Sequence, residues 1–254
     1  MNPTSLTFHG KLKREYVAQF TDRHFIVAFI TSLVFLSGAM IIQLFAGAYA
    51  TERASGFVGD IILSNIPVVN VDMFFVYGPI LFWLIISVFC LHRPSKIPFW
   101  LKTVSLFILV RSAFITLTHI GPFPDHIAID FFSISSNINF FLFNSGADLF
   151  FSGHTGLPFL SALIFWNNRP MRIFCLLSAL FFGVIVLLGH LHYSIDVMSA
   201  FFITYTIYNI AVKLFPADKK RFLGDEMTSA DILTAVPATV SADTPVQVEE
   251  FKNS

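Results

Sequence analysis

Charged side chains are scarce in this chain: Asp, Glu, Lys and Arg make up 13% of its 254 residues, against 55% hydrophobic ones. A water-soluble domain of this size has no use for that balance, and with a mean hydropathy of +0.72 the chain reads as a polytopic membrane protein. Net charge is also missing, because 16 basic residues offset 16 acidic ones, so bulk electrostatics gives no case for nucleic acid. Only two cysteines occur, Cys90 and Cys175, both inside apolar runs, which excludes a disulfide framework and a cysteine metal site. Internal repeats and a glycine-rich phosphate loop are absent as well.

What the chain has is six apolar stretches, at about 25–50, 73–91, 99–119, 154–167, 173–189 and 195–214. They predict an all-α protein with six transmembrane helices. The fourth stretch is short for a hydrocarbon core of about 30 Å, and drawing Leu149, Phe150 and Phe151 into it would lengthen the helix. Residues 1–24 are expected to be a cytoplasmic N-terminal segment, 25–215 the membrane domain and 216–254 a cytoplasmic, mostly disordered tail. Ala48-Tyr49-Ala50 has the small-residue pattern of a signal-peptidase site. The apolar run before it is far longer than a signal core, so it is expected to be an uncleaved first helix.

The few cations are unevenly placed. Lys11, Lys13, Arg14 and Arg23 precede the first stretch, Arg93 and Lys96 follow the second, Arg169 and Arg172 follow the fourth, and Lys219, Lys220 and Arg221 follow the sixth. The opposite connections carry only Arg53. By the positive-inside rule both termini are cytoplasmic, and the other connections face the periplasm or a lumen.

Two short segments then meet on that exoplasmic side: Asp148 to Thr155 (DLFFSGHT) and His190 to Val197 (HLHYSIDV). His154 and His192 are 38 residues apart. As helix that separation would be about 57 Å at 1.5 Å per residue, one bilayer crossing and one return. His192 and Asp196 have i, i+4 spacing, so a carboxylate can hold the proton of one imidazole nitrogen and leave the other free to attack phosphorus. His154 would protonate the departing alkoxide and later deprotonate the incoming hydroxyl. Two helix N-termini at the same face favour an anion. A metal set built from His190, His192 and Asp196 is the alternative use of these residues. Neither metal nor cofactor is expected.

These motifs resemble the type-2 phosphatidic acid phosphatase superfamily, in its sphingomyelin synthase-like branch. The family pattern Gly-Asp, three residues, Ser-Gly-His-Thr is matched by Asp148, Ser152, Gly153, His154 and Thr155, and His-Tyr-Thr-x-Asp-Val by His192, Tyr193, Ser194, Ile195, Asp196 and Val197. A third region, an arginine followed by threonines and Pro-x-Pro, has a counterpart in Arg111, Thr116, Thr118, Pro122 and Pro124. The match covers about residues 100–215, which would be the catalytic core. Ala147 stands where the family has glycine, Ser194 where it has threonine, and the palmitoylated cysteines of the animal enzymes find no match, as in a distant relative.

The resemblance implies His154, His192 and Asp196 as a catalytic triad on an exoplasmic face. Arg111, Ser152 and Gly153 are expected to bind substrate phosphate, with Asp148, His190 and Tyr193 in support; Arg111 has the alternative of a structural pair with Asp148. His119 and His126 are expected to be solvated, and Phe131, Phe132, Phe140, Phe141 and Phe143 to form an interfacial belt or a lipid gate.

Phosphatases of the superfamily carry a Lys-x6-Arg-Pro segment and a Ser-Arg pair before the second histidine. Here Lys102 and Arg111 have the wrong spacing, and Ile185 and Val186 stand at the second position. One fixed cation suits a phosphodiester better than a dianionic monoester. The expected activity is therefore a lipid phosphotransferase that moves a head-group such as phosphocholine from a glycerophospholipid to ceramide or diacylglycerol. The alternatives are a lipid phosphatase or phospholipase C-type hydrolase using water, and a noncatalytic transporter or scaffold. Expected partners are lipids and the membrane; the sequence carries no signal for oligomeric state.

Overall fold

The computed structural model describes residues 8–127 and 148–224, and all regular structure in them is helical. In chain order the helices are α1 (Phe8–Thr21), α2 (Arg23–Glu52), α3 (Asp72–Leu91), α4 (Ile97–Leu117), α5 (Gly153–Ile164), α6 (Arg169–Leu188), α7 (Ser194–Leu214) and α8 (Pro216–Leu223). Short 3₁₀ turns occupy Leu63–Asn65 and Pro94–Lys96. Helices α2, α3, α6 and α7, and α4 together with the turn before it, are long and apolar enough to cross a membrane.

Local chemistry sets the boundaries. Asp22 caps α2 by accepting from the backbone N–H of His24 at 2.9 Å, and Asn168 caps α6 by accepting from Met171 N at 3.1 Å. Helix α5 differs from the sequence expectation. It has 12 residues, about 18 Å of helix, and begins at Gly153. Leu149, Phe150 and Phe151 do not join it, because Ser152 is its N-cap and the carbonyls of Asp148 and Phe151 are turned to Arg111 instead.

Small residues decide which helices pack. The buried positions Ser32, Ala39 and Ala46 of α2 recur every seven residues, with Ala50 one turn further on. This stripe lets α2 approach α4 closely along its length, where Ala46 and Ala50 meet Ile115. Helix α5 packs on α6 and α7, and a Cβ at Gly156 would lie 2.7 Å from Phe107 Cζ and 2.9 Å from Thr204 Oγ1.

Polar pairs close the end opposite the histidines. Lys102 Nζ lies 2.7 Å from Asp218 Oδ2, Lys96 Nζ donates to Phe222 O at 3.0 Å, and Arg221 reaches Asp22 at 2.9 Å. Residues 216–223, assigned to the tail from sequence, thus form a docked helix with Phe222 fully buried. Residues 225–254 and the aromatic positions Phe131, Phe132, Phe140, Phe141 and Phe143 lie outside the described residues.

Adding one methyl at Gly156 overpacks this crossing. Gly156→Ala is expected to cost about 1–3 kcal/mol, read as a lower midpoint in chemical or thermal unfolding of the detergent-solubilised protein. Gly38→Ala, whose Cβ would meet nothing within 4 Å, should leave the midpoint unchanged or raised.

Candidate active site

The two exoplasmic segments predicted from sequence are joined by a main-chain hydrogen bond, Ser152 N to Asp196 O at 3.1 Å. It ties the elbow before α5 to the first turn of α7 and brings the rings of His154 and His192 to a centroid distance of 6.4 Å. His192 Nδ1 lies 3.4 Å from Asp196 Oδ2, within ion-pair reach but outside hydrogen-bond geometry. The carboxylate is fully buried; Oδ2 accepts from Tyr193 N at 2.9 Å and Oδ1 has no partner. With the imidazole proton on Nδ1 facing this carboxylate, Nε2 carries the free lone pair. Such contacts are commonly loose before substrate tightens them.

Arg111 is 9% exposed and is engaged on one side by the elbow. Its Nε donates to Phe151 O at 2.8 Å, one terminal nitrogen to Asp148 Oδ2 at 3.1 Å, and the other to Asp148 O at 2.6 Å. The pair with Asp148 is therefore formed, and two of the five guanidinium N–H groups are left over. The guanidinium lies directly against Gly153: a Cβ there would come within 3.4 Å of Arg111 Nε. Ser152 is fully buried, and its hydroxyl accepts from Thr155 N at 3.4 Å, so it serves the helix start.

His190 occupies the left-handed region at φ 55°. It is the residue after the C-cap in a Schellman ending of α6: His190 N donates to Leu187 O and Leu191 N to Val186 O. Gly189 precedes it because a Cβ there would meet Val71 at 2.8 Å, so the strained conformation falls on histidine. The His190 ring is 4% exposed, neither nitrogen has a partner, and Phe123 meets it edge-on at 5.2 Å.

These groups share a cavity of about 980 Å³ lined by Arg111, His154, His190 and His192. Arg111 is the one Lys or Arg among its described lining residues, and most of the wall is apolar. Among the described residues no three His, Cys, Asp or Glu side chains form a metal-binding group. Thr116 and Thr118 turn their hydroxyls back to carbonyls of their own helix, Ala113 and Phe114, away from the site. His126 is exposed, as expected. His119 is half-buried instead, held by Thr116 O at 3.1 Å and by the ring of Tyr49.

Sequence reasoning missed two residues. Phe75 stacks on His154 at 4.1 Å and fixes the plane of the ring. Asp60, 8% exposed in the connection between α2 and α3, accepts from Ser194 N at 2.7 Å and Ser194 Oγ at 2.8 Å, and from Ile62 N and Leu63 N. It holds that connection across the start of α7. The hydroxyl of Tyr193, expected to be a supporting residue, donates to Gly121 O at 2.8 Å and accepts from Val58 N at 3.3 Å, joining the same connection to the one after α4. A single acid in a connection between helices carries no local pattern that would reveal Asp60.

Residues 146–213 match the family model described as PAP2 superfamily C-terminal. No curated protein and no solved structure matches the chain. The match contains His154, His192 and Asp196, and with the long apolar helices it supports an integral membrane protein of a lipid-processing family.

Burial alone would raise the Asp60 carboxyl, but its hydrogen bonds from Ser194, Leu63 and Ile62 outweigh burial and hold it below the usual carboxylate value. A lowered value contributes stability that is complete above the ordinary carboxylate range and disappears as pH falls through the lowered value. Asp60→Asn should reduce the unfolding midpoint at neutral pH and flatten its decline below about pH 4; parallel melts of both proteins from pH 3 to pH 7 read the difference.

Proposed function

We propose that this member of the PAP2 superfamily transfers a phospho-head-group, such as phosphocholine, from a glycerophospholipid to a lipid alcohol such as ceramide or diacylglycerol. The superfamily match supports a phosphatase- or phosphotransferase-type lipid enzyme. The observation that carries the finer reading is the charge content of the cavity: one arginine, half engaged by Asp148, in an otherwise largely apolar lining. Two remaining guanidinium N–H groups match the single negative charge of a phosphodiester, and the apolar walls match lipid chains.

In this reading His192 Nε2 attacks phosphorus while Asp196 holds Nδ1–H. The bond from phosphorus to the glycerolipid oxygen breaks, and that oxygen takes a proton from His154. Diacylglycerol leaves and phosphohistidine remains. The acceptor alcohol then gives its proton to His154, its oxygen attacks phosphorus, and the P–N bond breaks, returning His192. Arg111 and Gly153 would border the phosphoryl oxygens, while Asp148, Ser152 and Tyr193 hold the elbow and the start of α7 in place. Residues 25–215 would form the membrane domain, with the catalytic core at about 100–215. Basic residues near α1, the Pro94–Lys96 turn, the start of α6 and α8 argue for a cytoplasmic end there and an exoplasmic site at the other.

Purified protein in mixed micelles, given phosphatidylcholine labelled in the head-group, should form a labelled sphingolipid only when ceramide is present. His154→Ala and His192→Ala should each lower turnover by at least the roughly 10²- to 10⁴-fold that acid–base catalysis contributes, with unfolding midpoints retained. Release of inorganic phosphate from phosphatidic acid without any head-group transfer would refute the transferase reading, and full conversion by His192→Ala would refute the enzymatic one.

A further inference from the structure

The cavity has two unlike ends. Past Gln43, toward Trp83 and Trp100, every described lining residue is apolar, which suits lipid chains. In the other direction, beyond Arg111, Asp148 and His190 line it together with Thr51, Ala54, Pro122 and His126. A phosphodiester held at Arg111 with its chains toward the tryptophans therefore has its head-group among these residues.

Asp148 is the one acid among the described lining residues, as Arg111 is the one Lys or Arg. Its Oδ2 faces the guanidinium at 3.1 Å, while Oδ1 has no donor among the described residues and the side chain is a quarter exposed. A cation and an anion thus stand side by side, which complements a zwitterion better than an anionic head-group. His190 adds a second acceptor at the same end. Leu149, which follows Asp148, shares a buried cluster with Phe123, and Phe123 meets the His190 ring. The imidazole is 4% exposed with neither nitrogen partnered, and a buried polar group in that state needs an explanation. The turn supplies none: at φ 55° glycine or asparagine closes a Schellman ending with less strain than histidine.

We propose that this end of the cavity binds a head-group ending in a primary ammonium, whose N–H groups are accepted by Asp148 Oδ1 and by the unprotonated nitrogen of the His190 ring. The proposal rests on the head-group transfer reading above and makes phosphoethanolamine, in place of phosphocholine, the preferred cargo. A primary ammonium has three donors, enough for both acceptors. The quaternary ammonium of choline has none and leaves His190 unpartnered. Quaternary groups are held instead by aromatic faces. Of the lining rings, Phe75 and Phe182 are packed against His154, and the others lie past Gln43.

Phosphonate lipids in which a methylene replaces the glycerol oxygen on phosphorus cannot be cleaved there, so they report binding without turnover. Titrated calorimetrically into the detergent-solubilised protein, the short-chain phosphoethanolamine analogue should bind about tenfold tighter than the phosphocholine one, and both tighter than the phosphoglycerol one. His190→Gly, which suits the left-handed backbone, should bring the first two within about twofold of each other. His190→Asn suits it too and carries an amide oxygen, so it should retain part of the preference. Asp148→Asn keeps an oxygen for Arg111 but removes the charge, and should weaken both ammonium lipids relative to the phosphoglycerol one; if it does not fold, the His190 variants decide. Equal affinity for the phosphoethanolamine and phosphocholine analogues in wild type, an undiminished preference in His190→Gly, or unchanged discrimination against phosphoglycerol in folded Asp148→Asn would overturn the proposal. The expected preferences without head-group transfer to ceramide would instead sink the transferase reading and leave the ammonium site. Transfer from both donors alike with no binding preference would do the reverse.

Discussion

The grip of Arg111 on residues 148–151 is the contact on which the site depends. Residues 148–152, five residues of non-helical backbone, lead into α5, and backbone carbonyls there need partners of their own. Arg111 supplies three donors to them at once, two to carbonyls and one to the Asp148 carboxylate. That fixes Ser152 as the N-cap, which fixes where α5 begins, which sets His154 in its first turn. Removing one partner of such a pair costs about 3–5 kcal/mol where it is buried, and Asp148, a quarter exposed, lies at the milder end. The same contact explains why α5 is short: the residues that would lengthen it are spent on the guanidinium.

The second fixed point is the start of α7, held from three directions. Asp60 binds Ser194 from the connection after α2, Tyr193 reaches Gly121 from the connection after α4, and Ser152 N binds Asp196 O from the elbow. Asp60 and Asp196 both place carboxylates at this helix N-terminus, where the helix dipole favours them. The serine at position 194 fits this role well, since its backbone N–H and its hydroxyl both address the same Asp60 oxygen. The connections after α2 and α4 thus act as part of the site's scaffold.

Hydropathy alone was enough to locate the long helices: α2, α3, α4 and α7 begin and end within about two residues of the apolar stretches. The motif residues His154, His192 and Asp196 were named from local spacing, and the structure places the rings of the two histidines 6.4 Å apart. The Arg111–Asp148 pair was one of two readings, since sequence offers a lone arginine and a lone aspartate 37 residues apart and no way to bring them together. Asp60 and Phe75 were illegible for the same reason. Their significance is a matter of what a distant helix puts opposite them. The helical form of α8 could not be read from its eight mostly polar residues, because its burial rests on Phe222 and on the ion pairs of Asp218 with Lys102 and of Arg221 with Asp22.

Hydrogen-bond accounting gives the site a property that geometry alone does not. Buried polar side-chain atoms in folded proteins are nearly all partnered, and those that are not need an explanation. Among the described residues seven such atoms have no partner, and four of them, both nitrogens of His190, Nδ1 of His192 and Oδ1 of Asp196, fall within one seven-residue segment. The fold bonds the backbone N–H groups of His190, Leu191, Tyr193, Ser194 and Asp196 through the Schellman ending of α6, the cap of α7 and Asp60. It leaves the side chains wanting. A strained His190 backbone adds to the cost, as does a fully buried Asp196. The imidazole nitrogens of His190 and His192 beside the cavity, next to a guanidinium with two N–H groups to spare, are groups that an oxygen-rich ligand such as a phosphodiester can partner.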